Sequence, residues 1–151
     1  ARCPKVGQGN AGRDRIVIPV VIDTSVYISA IVFGGVPRAT VAKAMAARYQ
    51  LVVSPSIQSE FIRVLSHKFG WEDSRIWMAV DYLWRHAIIV EPADVNIVRD
   101  PKDNHILGTA VAGKAPYLIS SDQDLLILNP YGDIAILSPS DFLRVEQELM
   151  S

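Results

Sequence analysis

Residues 20–27 read VVIDTSVY, three apolar residues that run directly into the carboxylate of Asp23. Such an unbroken β-branched run is typical of a strand that is covered on both faces. An aspartate at the end of a buried strand is either a turn residue or part of a functional site. This stretch alone leaves both interpretations open, so the remaining segments decide what Asp23 does.

Five short apolar runs alternate with helical patterns along the chain, and the first run includes residues 20–22. This alternation predicts an α/β fold, with a mainly parallel sheet of about five strands and helices on both faces. Pro19 is expected to shorten the first strand to residues 20–22 or to mark a bulge. The predicted strands are IVIPVVI (16–22), LVV (51–53), AIIV (87–90), YLIS (117–120) and IAIL (134–137).

The segments between the strands predict helices, and several carry end signals. Ser54 and Ser138 follow strands and precede proline, which is typical of an N-cap with proline at the first helical position. Gly113 is expected just beyond a helix C-terminus, and FGGVP (33–37) is expected to be a hinge or turn. The predicted helices cover residues 37–49, 56–69, 72–87 and 104–113.

Composition limits the class of protein. The chain has 151 residues, 50% of them apolar and 21% charged, which fits one globular domain over residues 16–151. Residues 1–15 are polar and glycine-rich, so we expect a flexible tail. With a net charge of −1, the chain has no overall positive charge that would attract nucleic acid. The single cysteine, Cys3, cannot form a disulfide within the chain, which suits a reducing cytoplasm. No apolar run reaches the roughly 18 residues of a membrane span.

Four carboxylates from four segments are expected at one edge of the sheet. Ligands of open α/β sheets bind outside the carboxyl ends of the strands. Asp23 ends the first predicted strand and Asp122 ends the fourth. Asp103 lies in the first turn of a helix, and Glu60 flanks the buried stripe of another, so both are expected to face the same edge.

The mutual repulsion of such a cluster of acids favours a counter-ion, and either protonation or a bound cation would relieve it. Two unit charges about 4 Å apart repel by roughly 4 kcal/mol at an effective dielectric constant near 20. This is a large cost, because the free energy of unfolding of a domain is only about 5–15 kcal/mol. All-oxygen ligands favour Mg²⁺ or Mn²⁺ over zinc. One or two such ions can activate water and neutralise the charge that develops on a phosphodiester.

Simpler interpretations remain for each acid alone. Asp23 can be a strand-end turn residue, and Glu60 can be a solvated helix residue. Asp100 precedes Pro101 and is expected to cap a helix, a role that is also open to Asp103 and Asp124. His105 lacks ligand spacing to the other histidines, so we expect it to be exposed or packed beside its helix. Trp71, Trp77 and Trp84 are expected in the core or an interface.

Four blocks of the sequence, taken in order, resemble a PIN domain, in particular the prokaryotic branch of toxins from toxin–antitoxin systems. The resemblance covers about residues 18–145 and implies a three-layer α/β/α sandwich. The blocks are VVIDTSVYISAIVFGG (20–35), LVVSPSIQSEFIRVL (51–65), VRDPKDNHILGTAVAG (98–113) and YLISSDQDLLIL (117–128).

The resemblance implies a ribonuclease that depends on Mg²⁺ or Mn²⁺. By position, Asp23, Glu60, Asp103 and Asp122 match the family's metal-binding and catalytic acids. Secondary candidates, which would support the site through hydrogen bonds or additional charge, are Ser25, Ser120, Asp100 and Asp124.

The resemblance also implies partners and leaves rival functions. The expected partners are an RNA substrate, an antitoxin protein and further copies of the chain, with self-association through the tryptophan-rich helix. One alternative is a non-catalytic RNA- or protein-binding module that keeps the acids as a structural metal site. A Mg²⁺-dependent phosphatase is a weaker alternative, because haloacid-dehalogenase-like phosphatases need D-x-D and the third position here is Ser25.

Overall fold

The computed structural model describes residues 17–46, 48–96 and 101–150 and arranges them as an α/β sandwich around five strands. The five predicted strands are all present. In chain order, the strands are β1 (Ile18–Ile22), β2 (Tyr49–Val53), β3 (Ile88–Ile89), β4 (Tyr117–Ile119) and β5 (Ala135–Leu137). The α-helices are α1 (Thr24–Val32), α2 (Gly35–Ala44), α3 (Pro55–His67), α4 (Asp73–Trp84), α5 (Asn104–Ala112), α6 (Gln123–Leu126) and α7 (Pro139–Met150).

The strand order is β3-β2-β1-β4-β5, and every pair of neighbours is parallel. The chain therefore moves outward from β1 to one side and later returns to β1 on the other side. The last residues of β1 and β4, Ile22 and Ile119, are partners in register. In addition, the Asp23 N–H donates to the Ile119 carbonyl at 2.9 Å. The residues that follow β1 and β4 thus meet at one sheet edge, where the strand order reverses and ligands bind in such folds.

The prediction that Pro19 shortens or bulges the first strand is wrong. Pro19 lies in register opposite Gln50 inside β1. The Ile18 N–H donates to the Arg48 carbonyl on the β2 side, so the nitrogen of Pro19 faces the β4 side. Pairing with β4 begins only at Val20. Pro19 therefore removes no hydrogen bond from the ladder.

Helix α1 is absent from the sequence-based prediction, and it changes the interpretation of the glycine-rich segment after it. Its nine residues bury Val26, Tyr27, Ile28 and Ala30, so the helix lacks a clear polar face. In the predicted hinge FGGVP, only Phe33 and Gly34 lie outside helices, because α2 begins at Gly35. A short apolar helix cannot be distinguished from a buried strand by periodicity alone.

Both serine N-caps are confirmed. The Ser54 hydroxyl accepts from the Ile57 N–H at 3.3 Å, and the Ser138 hydroxyl accepts from the Asp141 N–H at 3.1 Å. Gly113 is the C-cap of α5 with a φ of −84°, and the left-handed residue beyond it is Lys114. Gly113 is needed for another reason, because a Cβ there would lie 2.6 Å from Cγ1 of Val52.

An aromatic cluster joins three helices in the core. Phe61 and Tyr27 are fully buried, and Trp84 is almost so. The Phe61 ring packs edge-on against Trp84 at 5.0 Å and against Tyr27 at 6.3 Å between centroids. This cluster fixes α3 against α1 and α4. The predicted role of Trp84 in the core is confirmed.

Two further expectations concern the N-terminal tail and membrane spans. The predicted tail, residues 1–15, lies outside the described residues. Within the described part, no single helix is both long and apolar enough to cross a membrane. Helices α1 and α2 are long and apolar enough for a span only when they are taken together, and they are separated by a bend of 114°.

Candidate metal centre

Asp23 and Asp122 are joined by one serine at the edge where β1 and β4 end. The Ser120 hydroxyl donates to Oδ2 of Asp23 at 2.8 Å. The oxygen of the same hydroxyl accepts from the Asp122 N–H at 2.9 Å. Ser120 is fully buried and Asp23 is only 6% exposed. The two strand-end aspartates are therefore held in a fixed relation by the backbone after β4 and by a buried hydroxyl.

Three aspartates lie close enough to share a cation. Carboxylate oxygens of Asp103, Asp122 and Asp124 all lie within 4.8 Å of one another, and each residue is half-buried. Asp124 joins this group because its N–H donates to Oδ1 of Asp122 at 2.9 Å in the first turn of α6. Asp103 enters from the segment that leads into α5. An all-oxygen group of this kind suits Mg²⁺ or Mn²⁺.

Glu60 is close enough to Asp23 to raise its pKa, and it is positioned by two residues from other helices. The Thr24 hydroxyl of α1 donates to Oε1 of Glu60 at 2.8 Å. Nε2 of His105, on α5, lies 3.6 Å from the same glutamate oxygen. The other ring nitrogen of His105 is hydrogen-bonded to the Ser56 hydroxyl at 2.9 Å. The glutamate is thus held where three helices meet.

The electrostatics of the site favour a positive ion. Burial raises the pKa of Asp23, the Ser120 hydrogen bond and the Ser25 backbone amide lower it, and the charges of Glu60 and Asp122 raise it further. The net effect is a raised pKa. The pKa of Glu60 is lowered, first by its contact with His105, against the opposing effect of burial, and then by the Thr24 hydrogen bond. A bound cation would offset both the burial of Asp23 and the repulsion from its acidic neighbours.

In metal-free protein, the raised pKa of Asp23 should make stability fall as pH rises. The folded state holds the proton of Asp23 more tightly than the unfolded state, in which aspartates titrate at about pH 3.9. The free energy of unfolding should therefore decrease as pH rises from that value through the raised pKa of Asp23. Glu60 has the opposite effect because its pKa is lowered in the folded state. Its contribution to the free energy of unfolding is lost as pH falls.

Urea unfolding in EDTA of wild type and Asp23→Asn isolates this effect. As pH rises through the same window, the free energy of unfolding of the variant should increase relative to that of wild type. Above the raised pKa of Asp23, the difference between the two should stay constant. Asp133→Asn, which removes an exposed charge at the opposite edge of the sheet, should run parallel to wild type. Parallel curves for Asp23→Asn would contradict a pKa of Asp23 that is raised, chiefly by burial, in the folded protein.

Removing the Ser120 hydroxyl should weaken the site without unfolding the protein. Ser120→Ala leaves Asp23 with one fewer donor and frees the amide of Asp122. Partners that orient metal ligands typically contribute about 10- to 100-fold in metal affinity or activity. We expect a loss of that size in Mn²⁺ affinity, measured by calorimetry. Ser138→Ala, which removes a serine N-cap after the neighbouring strand β5, should leave Mn²⁺ affinity unchanged.

The structure brings most of the predicted site residues to one edge of the sheet, but not all of them into one cluster. Asp23, Glu60, Asp103 and Asp122 lie at one edge of the sheet, although Asp23 and Glu60 are outside the 4.8 Å group. Their roles as metal ligands stay a prediction. The predicted hydrogen bonds of Ser120 are present. Ser25 is exposed, and Asp100 lies outside the described residues.

Three residues that position Glu60 escape the sequence-based prediction: Thr24, Ser56 and His105. His105, expected to be exposed or packed beside its helix, is only 26% exposed and bridges Ser56 and Glu60. Thr24, next to the predicted Ser25, is the hydroxyl that contacts Glu60. The sequence positions of two of them could have indicated a role near the site. Thr24 directly follows a strand-end aspartate, and His105 lies two residues after Asp103.

Comparisons with known proteins identify a family and a shared fold. The family model for the PIN domain matches residues 19–124, a range that contains all five acids of the site. The uncharacterized protein MJ1680 of Methanocaldococcus jannaschii is 29% identical over 152 residues. The alignment covers 91% of this chain and 97% of that protein.

Two solved structures share the fold. VapBC2 from Rickettsia felis, bound to a DNA fragment from its promoter, matches with a TM-score of 0.59 and 12% identity. That match covers 80% of this chain and 98% of the other. VapBC-1 from nontypeable Haemophilus influenzae matches with a TM-score of 0.54 and 15% identity, over 82% of this chain and 99% of the other. At such low identity, the likeness concerns the fold alone.

Proposed function

This chain belongs to the PIN domain family, and from that premise we propose that it is a metal-dependent endoribonuclease. The observation that carries the proposal is the junction of two strand-end aspartates through Ser120. Asp103 and Asp124 approach Asp122 within 4.8 Å at the same edge. No histidine, cysteine or serine nucleophile is needed for this chemistry.

The residues at the edge of the sheet suit the binding of one or two divalent cations. Asp103, Asp122 and Asp124 would hold an ion directly, and Asp23 would complete the set once its burial cost is offset by the positive charge. Bound there, Mg²⁺ or Mn²⁺ would lower the pKa of water and stabilise the charge that develops on a phosphodiester. Ser120 fixes the carboxylate of Asp23, and Thr24 fixes that of Glu60.

We assign the RNase to the toxin side of a toxin–antitoxin pair. This assignment follows from the four sequence blocks, and the fold likeness to chains of VapBC assemblies supports it. An antitoxin would then inhibit cleavage by covering the acidic edge. The proposal places the protein in the cytoplasm with its RNA substrate.

Self-association is proposed through α4. The outer face of this helix exposes Trp77 to 59%, Met78 to 73% and Tyr82 to 64%. Large apolar side chains grouped on one helix face are typical of protein interfaces. Sedimentation of wild type and Trp77→Ala tests this directly, because only wild type should form the larger species.

Cleavage of fluorescent single-stranded RNAs with Mn²⁺, Mg²⁺ or EDTA tests the proposed activity. We expect internal cleavage with either metal, none in EDTA, and recovery after the metal is restored. A small aryl phosphate, assayed in parallel, should not be hydrolysed. Hydrolysis of the aryl phosphate without RNA cleavage would favour the phosphatase. RNA binding without metal-dependent turnover would favour the non-catalytic module.

A further inference from the structure

A groove leads away from the acidic site between α1 and α3. Both helices begin at the sheet edge that carries the acids, because each follows a strand, and they pack side by side. The groove has a volume of about 330 Å³. At its inner end it is lined by Thr24 and Glu60, along its floor by Ile28 and Val64, and at its outer end by Phe33 and Phe69.

Two phenylalanines form an open aromatic surface at the outer end. Phe33 is 74% exposed, although it is the C-cap of a helix whose other apolar residues are mostly buried. Its ring lies edge-on to Phe69, with 6.1 Å between centroids and 75° between planes. Phe33 and Phe69 together form an apolar patch at the outer end of a groove that begins at Glu60, and such patches and grooves mark ligand or partner sites.

Positive charge accompanies the aromatic pair. Nζ of Lys68 lies 5.9 Å from the centre of the Phe69 ring. Arg63, also on α3, is close enough to Glu60 to lower its pKa. Glu60, Val64 and Lys68, the C-cap of α3, follow one another at four-residue intervals, so they lie along one side of this helix. The groove thus runs from the Glu60 carboxylate, over an apolar floor, to Lys68 and the two phenylalanine rings.

We propose that this groove binds an unpaired nucleobase of the RNA substrate, stacked on Phe33, with Lys68 at the adjoining phosphate. The inference rests on the proposed ribonuclease function and adds a substrate subsite to it. Aromatic rings next to a cation are how proteins hold single-stranded nucleic acid. Continuity with the acidic site through Thr24 and Glu60, and a charge complementary to phosphate, favour RNA over an apolar segment of a partner protein.

The spacing predicts where the substrate must be single-stranded. Eight residues of α3 separate Glu60 from Lys68, or about 12 Å at 1.5 Å per residue. A stacked nucleic-acid strand rises by about 3.4 Å per nucleotide, and an extended strand by more. The base on Phe33 therefore lies within about four nucleotides of the cleaved bond. A base inside a duplex is stacked on its neighbours and cannot reach the ring.

A double-mutant cycle that combines removal of the Phe33 ring with removal of one nucleobase from the RNA tests the proposal. Wild type and Phe33→Ala cleave the same single-stranded RNA, intact or with one abasic nucleotide at each of the four positions on either side of the cleaved bond. We expect Phe33→Ala to raise KM by about 10-fold while kcat changes less than about 2-fold. One abasic position should produce the same loss in wild type and no further loss in the variant. Leu149→Ala, which truncates an exposed apolar residue at the far end of α7, serves as the matched control.

A second variant tests the cation. Lys68→Ala should raise KM at low salt and reduce the slope of log KM against log salt concentration by about 1, as expected for one lost phosphate contact. An unchanged slope would remove Lys68 from the proposed subsite.

The possible outcomes separate the subsite from the ribonuclease. If wild type cleaves RNA but Phe33→Ala cleaves equally well, the subsite is overturned and the exposed rings fit a partner protein instead. Additive losses from the variant and the abasic nucleotide would also overturn it. If wild type binds RNA without cleaving it, the same cycle is measured as dissociation constants, and additive losses again overturn the subsite. If wild type neither binds nor cleaves RNA, the proposed function and the subsite both fail.

Discussion

Asp122→Asn should reduce metal-dependent RNA cleavage by at least about 100-fold while leaving the protein folded. Asp122 is the acid that connects the site, because it lies within 4.8 Å of Asp103 and Asp124 and its charge raises the pKa of Asp23. Asparagine keeps a side-chain oxygen for the Asp124 N–H, so the cap of α6 survives. The loss should exceed that of Ser120→Ala, which removes only a supporting hydroxyl.

Asp133→Asn is the control for this substitution. It makes the same chemical change in an exposed turn before β5, at the opposite edge of the sheet, and should keep full activity. Both variants are compared with wild type by initial cleavage rates with saturating Mn²⁺. Equal rates for Asp122→Asn and wild type would mean that the activity is a contaminant or belongs to another site.

Phe61→Ala should lower the free energy of unfolding by about 3–5 kcal/mol. The ring is fully buried and packs edge-on against Trp84 and Tyr27. Truncating it leaves a cavity where three helices meet, in a fold worth only about 5–15 kcal/mol. Because Phe61 follows Glu60 on α3, the same change should also disorder the glutamate and reduce cleavage.

Phe33→Ala is the matched control, since it removes the same side chain from an exposed position. We expect it to change the free energy of unfolding by no more than about 0.5 kcal/mol in urea titrations. Similar losses for the two phenylalanine variants would contradict the assignment of Phe61 to the core and of Phe33 to the groove.

The sheet and the acidic edge can be predicted from local patterns. Continuous β-branched runs identify five strands, and alternation with helices makes the sheet parallel. Residues after the strands must then meet at one edge, which predicts that Asp23 lies near Asp122. These predictions succeed because each depends on sequence periodicity and on the direction of parallel strands.

The missed features depend on how elements pack in three dimensions. The contact of His105 with Glu60 requires the relative positions of α3 and α5, which no spacing within either helix reveals. The tolerance of β1 for Pro19 depends on where β4 begins to pair. Close packing at Gly108 is equally hidden, since a Cβ there would lie 2.3 Å from the Ala93 carbonyl oxygen.

The central claim is that the acids at the carboxyl ends of β1 and β4 hold a divalent cation. Anomalous diffraction from crystals grown with Mn²⁺, for wild type and Asp122→Asn, locates the ion directly. We predict a manganese peak in wild type that contacts the carboxylates of Asp103, Asp122 and Asp124, with Asp23 completing the set, and a lost or strongly weakened peak in the variant. No peak at this edge in wild type, or a peak held by other residues, would contradict the account.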